Sequence, residues 1–402
     1  MAGAAARTVS EISDHLFEGG NGEEGEGARA GIGSAVGVYP RQRVIALIRR
    51  RMIRAAEEVE PAQLQPASLD LRLGRVAHRV RASFLPGAGR SVRDQLDDLA
   101  LDQLSLEEGA ILERGCVYVV ELQESLNLPE SVSGVANPKS STGRLDVFTR
   151  LITDNSEVFD SVQAAYRGPL YAEISPRTFS IRVRKGSRLN QLRFRRRASS
   201  QVEYADFRLS DRELKEIHDK TPLIDGEPVI RHGLHLRVNL RPMGGGKSRL
   251  IGYRAQRYAG IVDIDAVGKC RVADFWDKIE ARPDGRLILD PNEFYILASK
   301  EALHIPPDLA AEMVPIDTMM GEFRVHYAGF FDPGFGHAPA GGEGSRAVLE
   351  VRSHEVPFIL EDGQIIGRLA YERLTEPPDR LYGQIGGSNY QAQGLKLSKH
   401  FR

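Results

Sequence analysis

Two short runs of the sequence, Leu170-Tyr171-Ala172-Glu173-Ile174 and Ala347-Val348-Leu349-Glu350-Val351, decide how the chain is built. Each places a glutamate among apolar residues in the pattern of a strand. The two glutamates are 350 − 173 = 177 residues apart, and the same separation relates Ile111-Leu112 to Ile288-Leu289. A fixed shift of this kind indicates an internal duplication, so the chain is predicted to contain one domain twice.

The first copy is predicted to open with the strand Pro66-Ala67-Ser68-Leu69-Asp70-Leu71-Arg72-Leu73-Gly74, which alternates apolar and polar residues and ends in a glycine. It is echoed by Gly233-Leu234-His235-Leu236-Arg237-Val238. The separation of these two openings is 233 − 68 = 165 residues, so the second copy has the longer spacer between its opening and its main body.

Short strand-like runs with glycine and proline turns dominate both copies, whereas residues 88–108 are predicted as helix and loop. This pattern predicts a mainly all-β fold, a sandwich or barrel in each copy, with a few short helices. The N-terminal segment, rich in glycine, alanine and glutamate, cannot bury enough surface to fold. The predicted division is a disordered tail at 1–40, a first β domain at 41–210, a second at 211–375 and a C-terminal tail at 376–402.

Composition excludes several classes of protein. The 402 residues carry a net charge of −1, so no global field favours nucleic acid or a membrane surface. Only two cysteines, Cys116 and Cys270, are present, which argues against a disulfide scaffold and fits a reducing cytoplasm. No apolar run approaches the length that spans a bilayer. We expect a cytoplasmic protein without nucleic-acid or membrane partners.

The stretch Pro138-Lys139-Ser140-Ser141-Thr142-Gly143-Arg144 occurs once, although the domain occurs twice. It can be a polar turn, or a ligand loop in which glycine allows close approach and arginine offers a planar fork of donors. The second copy has Asp317, Thr318 and Gly321 where the first has Ser140, Ser141 and Arg144. The duplication has therefore lost this constellation in one copy.

Both copies keep the strand glutamate. Burial in an apolar strand raises the pKa of a carboxyl group, which suits general acid and base chemistry, although a solvated face or an ion pair is the alternative. Asp332 ends a strand in an Asp-Pro-Gly turn, and the first copy has Asp160 in the same region. A basic run at residues 182–197 is interpreted as a subunit interface or a solvated edge strand rather than a nucleic-acid site.

Together these motifs resemble the dCTP deaminase branch of the trimeric dUTPase superfamily. The resemblance rests on Pro-x-Ser-Ser-x-x-Arg, Asp-Pro-Gly-Phe, apolar-Leu-Glu and the opening strand, and it covers residues 64–200 and 230–402. The two-domain length resembles the tandem form found in some bacteria. The resemblance implies two tandem dUTPase-like domains of distorted β-barrel or jelly-roll type, a trimer-based homo-oligomer, dCTP as substrate, dUTP as product and dTTP as a candidate inhibitor.

The resemblance also implies roles for individual residues. Glu350 or Glu173 would activate water, with Arg144 and Ser141 as the other catalytic residues. The implied substrate-binding residues are Lys139, Ser140, Ser141, Arg144, Asp332, Asp160, Leu349, Tyr382, Gln393 and Lys399. The working site is hypothesised to join Ser140, Ser141 and Arg144 to the second copy and the tail, which leaves the site of Glu173 vestigial.

The implied reaction is hydrolytic deamination of dCTP to dUTP and ammonia, which supplies dUMP and dTTP synthesis. One glutamate with a raised pKa can take a proton from water and give one to the leaving amine. The zinc deaminase signature of H-x-E followed by P-C-x-x-C is absent from the sequence, so no zinc is expected, and Mg²⁺ would arrive on the triphosphate. The alternatives are a dUTP diphosphatase or bifunctional enzyme, and a non-catalytic deoxynucleotide sensor.

Overall fold

The structure is a computed structural model that describes residues 36–197, 207–243, 248–315, 323–326, 329–338, 344–353, 355–384 and 390–402. Strands dominate these residues, and the predicted mainly all-β class is confirmed. Residues 1–35 of the predicted tail lie outside the described part. The predicted boundary of the tail at residue 40 is wrong, because Gly37–Val38 pairs with a strand of the first copy and Val38 is fully buried.

The strands of the first copy form three sheets. The larger two have the orders β1-β13-β8-β10, with β3 on β13, and β5-β4-β7-β11-β9, with β2 on β7. The strands are β1 (Gly37–Val38), β2 (Ile53–Ala55), β3 (Leu69–Asp70), β4 (Leu73–Val80), β5 (Ala100–Ser105), β6 (Ala110–Leu112), β7 (Val117–Asn127), β8 (Val132–Pro138), β9 (Val147–Thr153), β10 (Ser161–Val162), β11 (Arg167–Pro176), β12 (Ile181–Val183) and β13 (Asn190–Arg196).

The second copy repeats this plan, with the sheet orders β14-β25-β20-β22, β17-β15-β19-β23-β21 and β18-β24. Its strands are β14 (Leu234–Arg237), β15 (Leu250–Ala255), β16 (Val262–Asp263), β17 (Trp276–Glu280), β18 (Arg286–Leu289), β19 (Phe294–Leu303), β20 (Leu309–Pro315), β21 (Phe323–His326), β22 (Phe330–Phe331), β23 (Ser345–Ser353), β24 (Phe358–Glu361) and β25 (Ile365–Arg373). At a shift of 177, β8 matches β20 at both ends (309 − 132 and 315 − 138), which confirms the duplication.

Helices are few and short in the described residues, as expected. They are α1 (Arg41–Arg49), α2 (Val92–Leu99), α3 (Ser140–Gly143) and α4 (Asp211–Lys220), with 3₁₀ turns at Pro61–Gln63 and Val272–Asp274. Helices α2 and α4 each begin at a serine that accepts a hydrogen bond from the backbone of the third helical residue. This capping box satisfies donors that a helix start leaves unpaired.

Two sequence expectations need correction. The opening strand does not end at Gly74, because β4 continues to Val80. A Cβ at Gly74 would meet the Glu121 carbonyl oxygen at 2.4 Å, so this glycine serves close strand packing rather than a turn. Within residues 88–108, helix α2 leads directly into strand β5, where only a helix and a loop were predicted.

The two copies are joined through shared packing. Strand β16 belongs to a segment at residues 256–275 of the second copy, yet it pairs in parallel with β12 of the first. The hydrophobic core of the first copy also contains second-copy side chains, including Trp276 and Ile296. Because the core of the first copy includes side chains of the second, the region between the copies is a packed interface.

Within the basic run at residues 182–197, two arginines do not lie on a solvated edge. Arg193 and Arg195 are at most 2% exposed, and both bind acidic groups of the second copy. The sequence suggested an interface between subunits, whereas the structure shows one between the two copies of a single chain.

Candidate active site

A cavity of about 500 Å³ lies between the two copies. This volume falls in the range of small-molecule sites. Its walls come from both copies and from the C-terminal tail. The charged and polar lining residues include Asp70, Lys139, Ser140, Ser141, Arg144 and Arg188 from the first copy, Asp332 and Glu350 from the second, and Tyr382, Tyr390, Gln393 and Lys399 from the tail.

The single helical turn α3 presents the Ser-Ser-x-x-Arg stretch to this cavity. The Lys139 carbonyl accepts hydrogen bonds from the amides of Thr142 and Gly143 at 2.8 and 3.0 Å, which fixes the turn. The Ser398 hydroxyl donates to the Ser141 carbonyl at 2.8 Å. The tail is therefore attached directly to the turn that the sequence had singled out.

Arg144 connects three parts of the site. Its Nε lies 3.9 Å from Oε1 of Glu350, and its Nη1 donates to Oε1 of Gln393 at 3.1 Å and to the Lys396 carbonyl at 2.9 Å. The guanidinium also stacks 3.9 Å above the ring of Tyr390. Its side chain is almost completely buried, so stacking and hydrogen bonds fix its orientation.

Glu350 reaches the cavity because of strand alternation in β23. Val348 and Glu350 line the cavity, whereas Leu349 packs in the core of the second copy. The Leu349 side chain therefore does not line the cavity, contrary to its expected place among the substrate-binding residues. Burial raises the pKa of Glu350 to about 8, while the positive charge of Arg144 opposes the shift.

Asp332 lines the cavity from the turn that follows strand β22. Its carboxylate is 7% exposed and lies 3.4 Å from Nη2 of Arg193. Burial raises the pKa of this carboxyl group, and Arg193 lowers it. The following turn requires Gly334, which has φ of 90° and whose added Cβ would meet Leu381 at 2.7 Å.

One end of the cavity is basic. Lys139, Arg188 and Lys399 line it, and Lys139 forms an ion pair with Asp70. Burial lowers the pKa of Lys399, and the nearby charges of Lys139 and Arg188 lower it further. Asp265 also lies near Lys399, so the three cations exceed the two carboxylates, Asp70 and Asp265, and favour an anionic ligand at this end.

The tail residues Tyr382, Gln393 and Lys399 all line the cavity, as expected. Beyond them, Phe401 packs on Phe179, Phe275 and Trp276, with ring centroids 5.4–6.4 Å apart. The tail is thus anchored past its last cavity residue.

Glu173 lies elsewhere, away from this cavity. It accepts two hydrogen bonds from the guanidinium of Arg150, which also stacks 3.4 Å above the ring of Phe159. The ion pair that the sequence left open as an alternative is what the structure forms at Glu173. Asp317, Thr318 and Gly321, which replace Ser140, Ser141 and Arg144 in the second copy, lie outside the described residues.

Asp160 is not the counterpart of Asp332. Ser161 pairs with Val135, and Phe330 pairs with Glu312, which matches Val135 at the shift of 177. Ser161 therefore matches Phe330 and, two residues further along the chain in each copy, Gln163 matches Asp332. Asp160 instead accepts a hydrogen bond from the Leu151 amide at 2.7 Å, and burial raises its pKa to about 7.

Sequence reasoning missed several lining residues. Asp70 lay in the quoted opening strand but was not assigned to a site, and Arg188 was counted only as part of the basic run. A signal for Asp70 existed in its place between apolar residues of that strand, since a charge there needs a buried partner. Tyr390, which was not assigned to the site either, lies beneath Arg144.

No group of three or more His, Cys, Asp and Glu side chains is arranged to hold a metal ion within the described ranges. The helices found in the described part of the chain include none that is long and apolar enough to cross a membrane.

Comparisons with known proteins agree with this geometry. Residues 35–198 match the family model described as 2'-deoxycytidine 5'-triphosphate deaminase (DCD) N-terminal domain, and residues 210–401 match that of the C-terminal domain. The crystal structure of 2'-deoxycytidine 5'-triphosphate deaminase from Agrobacterium tumefaciens is similar, with 53% sequence identity and a TM-score of 0.79. The match covers 84% of this chain and 99% of that chain.

Curated relatives match over shorter stretches. A protein of Beutenbergia cavernae named "dCTP deaminase, dUMP-forming" is 34% identical over 120 residues, 29% of this chain and 58% of that protein. One of the same name from Halobacterium salinarum is 36% identical over 110 residues, 26% of this chain and 52% of that protein. The chain thus spans little more than half the length of these relatives.

The duplicated β fold, with a polar cavity shared by its copies, defines a tandem protein of the dUTPase-like class. The matches to both domain models and to the Agrobacterium structure are more specific. The chain belongs to the 2'-deoxycytidine 5'-triphosphate deaminase family.

Proposed function

We propose that the protein deaminates dCTP hydrolytically, to dUTP and ammonia, in the cavity between its copies. The observation that carries the proposal is the buried pair of Glu350 and Arg144, which joins the second copy to the Ser-Ser-x-x-Arg turn of the first. The names of the family models and of the similar proteins support dCTP as substrate.

Glu350 has the properties of the acid and base that this reaction needs. Its carboxylate takes a proton from water, and the hydroxide adds to carbon 4 of cytosine. The carboxylic acid then gives this proton to the amino group, which leaves as ammonia when the bond from carbon 4 to the amino nitrogen breaks. The proton of the added hydroxyl moves to N3, and the carbonyl of uracil forms. A pKa of about 8 lets one group hold and release the proton near neutral pH.

Fixed donors around Glu350 stabilise the charge that develops on the base. The guanidinium of Arg144 is held in place by Gln393, Lys396 and Tyr390, so it needs little reorganisation during the reaction. Ser140 and Ser141 lie on the adjoining turn and line the same cavity, where their hydroxyls and amides can bind the base and the water. Asp332 is proposed to accept a hydrogen bond from the deoxyribose.

The triphosphate is proposed to bind at the basic end, against Lys139, Arg188 and Lys399. Oδ1 of Asp70 is a buried oxygen without a hydrogen-bond partner, and Asp70 lines this end. It fits a magnesium ion carried by the nucleotide, whose chemistry is to neutralise phosphate charge. No zinc takes part in the proposed reaction.

An ammonia-release assay with dCTP tests the proposal. We expect Glu350→Gln to lose about 10²–10⁴-fold in kcat, the usual contribution of a general acid or base. Glu173→Gln is the matched control and is expected to keep most of the activity. An inactive Glu173 variant beside an active Glu350 variant would overturn the assignment, and tight dCTP binding without ammonia would support the nucleotide sensor instead.

A bifunctional reaction is the second candidate, because several relatives carry the name "dCTP deaminase, dUMP-forming". Such an enzyme would also release pyrophosphate. Chromatography of the products separates the two, since dUTP supports deamination alone and dUMP with pyrophosphate supports the bifunctional reaction. Pyrophosphate release from added dUTP tests diphosphatase activity.

The proposal also includes a trimer-based homo-oligomer, dTTP as a candidate inhibitor and a cytoplasmic location. Both cysteines, Cys116 and Cys270, are free thiols in the structure, which is compatible with a reducing compartment. Light scattering of the purified protein tests the trimer, and ammonia release in the presence of dTTP tests inhibition.

A further inference from the structure

Arg193, on strand β13 of the first copy, is fully buried and reaches into the second copy. Its Nη2 lies 3.4 Å from Oδ1 of Asp332 and 3.4 Å from the Phe331 carbonyl. Its Nη1 donates to the Ala311 carbonyl at 3.1 Å and lies 3.4 Å from Glu372. The guanidinium also stacks 4.0 Å from the centre of the Phe330 ring.

These contacts place Arg193 behind the cavity wall rather than in the cavity. The cavity is lined by Asp332, Phe330 and Phe331. Arg193 contacts all three but does not itself belong to the lining. Arg193 therefore acts on a ligand only through the residues it holds, with Asp332 the charged one among them.

The arginine of this pair comes from the first copy and the aspartate from the second, and the reverse pair is not encoded. At the shift of 177, the second copy has Ala370 in place of Arg193. Strand pairing places Gln163 of the first copy at the position of Asp332. The duplicated domains have thus diverged into a copy that supplies the cation and a copy that supplies the carboxylate. Interface packing alone does not require that the cation meet a cavity residue.

The surroundings of Asp332 explain why it needs this partner. The carboxylate is 7% exposed and lies beside Phe330 and Phe331, so an unpaired negative charge there would be costly. Its other charged neighbours are Asp70 and Lys139, which already form an ion pair with each other. Arg193 is the cation that bonds Asp332 directly, and it occupies one oxygen while the other can face the cavity.

We propose that Arg193 is a positioning residue, which holds the Asp332 carboxylate for a hydrogen bond to a sugar hydroxyl of the nucleotide. Binding of the sugar therefore depends on the pairing of the two copies. This inference rests on the proposed function, because it takes the ligand to be a deoxynucleotide.

The test compares Arg193→Met with Arg195→Met on the same strand. Arg195 binds Glu372 and Glu312 but does not contact Asp332, so it controls for loss of an interface cation. We expect Arg193→Met to raise KM for dCTP by about tenfold, the equivalent of one charged hydrogen bond, with a smaller change in kcat. Arg195→Met is expected to leave KM nearly unchanged, and equal effects of the two variants would overturn the proposal.

A double-mutant cycle separates action through Asp332 from a general effect on folding. If Arg193 acts through Asp332, Arg193→Met adds little to the defect of Asp332→Asn, and independent losses that multiply would contradict the proposal. Should Arg193→Met fail to fold, Arg193→Lys replaces it in the same cycle, with the same prediction.

A nucleotide without the sugar hydroxyl gives the complementary measurement. With 2',3'-dideoxycytidine triphosphate, wild type and Arg193→Met should have similar KM values, because the hydroxyl that Asp332 would bind is missing. A tenfold difference that persists with this analogue would overturn the proposal. If wild type releases no ammonia, the proposed function fails, and the same comparisons are made on the Kd for dCTP.

Discussion

Glu350 and Glu173 occupy the same position in the two copies, but their neighbours give them different properties. Glu350 lies 3.9 Å from one guanidinium atom, whereas Glu173 accepts two hydrogen bonds from Arg150. The guanidinium of Arg150 occupies Oε1 of Glu173 with charge-assisted hydrogen bonds. Glu350 is buried without such a bond and faces a cavity, so it can exchange a proton with a ligand.

The raised pKa of Glu350 predicts the pH dependence of the reaction. The base form is the carboxylate, so kcat/KM for dCTP should rise with pH up to about 8 and then level off. Steady-state rates from pH 6 to 9.5 measure this. Glu173→Gln should keep the same profile, and a profile that is flat between pH 6 and 8 would rule out this role for Glu350.

The same pKa makes a prediction about stability. Because the folded-state pKa lies above the unfolded value of 4.5, the folded protein holds a proton that the unfolded chain releases between these values. This contribution is complete below pH 4.5 and is lost as pH rises to about 8, a change on the order of a few kcal/mol. Thermal unfolding at pH 5.5 and 8 should show a smaller fall in Tm for Glu350→Gln than for wild type; equal falls would contradict it.

At the residue scale, sequence reasoning predicted the direction of the pKa shift at Glu350 correctly but assigned the wrong counterpart to Asp332. A glutamate in an apolar strand predicted a raised pKa, and the structure gives that direction at Glu350. Asp160 was assigned beside Asp332 because the first copy carries an aspartate nearby. The sequence of the loop between β9 and β10 does not show which residue matches Asp332, whereas strand pairing identifies that residue as Gln163.

At the scale of elements, the segment at residues 256–275 holds the C-terminal tail in place. Its backbone amides at Gly268 and Cys270 donate to the carbonyls of Lys399 and His400 at 3.0 and 2.9 Å, and the Arg402 amide donates back to Cys270 at 2.9 Å. The sequence indicated that the tail contributes residues to the substrate site, but it did not predict the segment that holds the tail. In the first copy the corresponding region contains helix α2, so the repeat gave no signal for this segment.

Anchoring of the tail predicts the effect of Phe401→Ala. Removal of this ring from its cluster with Phe179, Phe275 and Trp276 should release Lys399 and Gln393 from the cavity. We expect KM for dCTP to rise at least about tenfold, because ordering the tail then becomes a cost of binding.

Tyr258→Ala is the control for this measurement, since Tyr258 lies on the same segment and is 93% exposed. It should leave KM unchanged. An unchanged KM in Phe401→Ala would mean that the tail does not depend on this anchor.

At the scale of the whole molecule, the fixed repeat predicted two copies and the short strand-like runs predicted the all-β class, and both are confirmed. The interface between the copies was not predictable in the same way. Arg193 and Arg195 were interpreted as part of a subunit interface or a solvated edge strand, because their acidic partners, Glu372 and Glu312, lie over a hundred residues away. Local sequence does not reveal a partner that only the tertiary fold supplies.

This buried charge network predicts which interface residue limits stability. Glu372 is fully buried and accepts hydrogen bonds from both Arg193 and Arg195. Loss of one partner from a buried ion pair costs about 3–5 kcal/mol, because the remaining charge has no water to solvate it. Glu372→Gln should therefore lower Tm by about 10 °C in a thermal unfolding scan.

The adjoining position on the same strand provides the control. Arg373 pairs with Glu213 at the surface, with both side chains at least a third exposed. Exposed pairs contribute at most about 1 kcal/mol, so Glu213→Gln should shift Tm by no more than a few degrees. Comparable shifts in the two variants would contradict a special role for the buried network. A large shift in Tm confined to Glu372→Gln would show that the buried charges at the interface stabilise the association of the two copies.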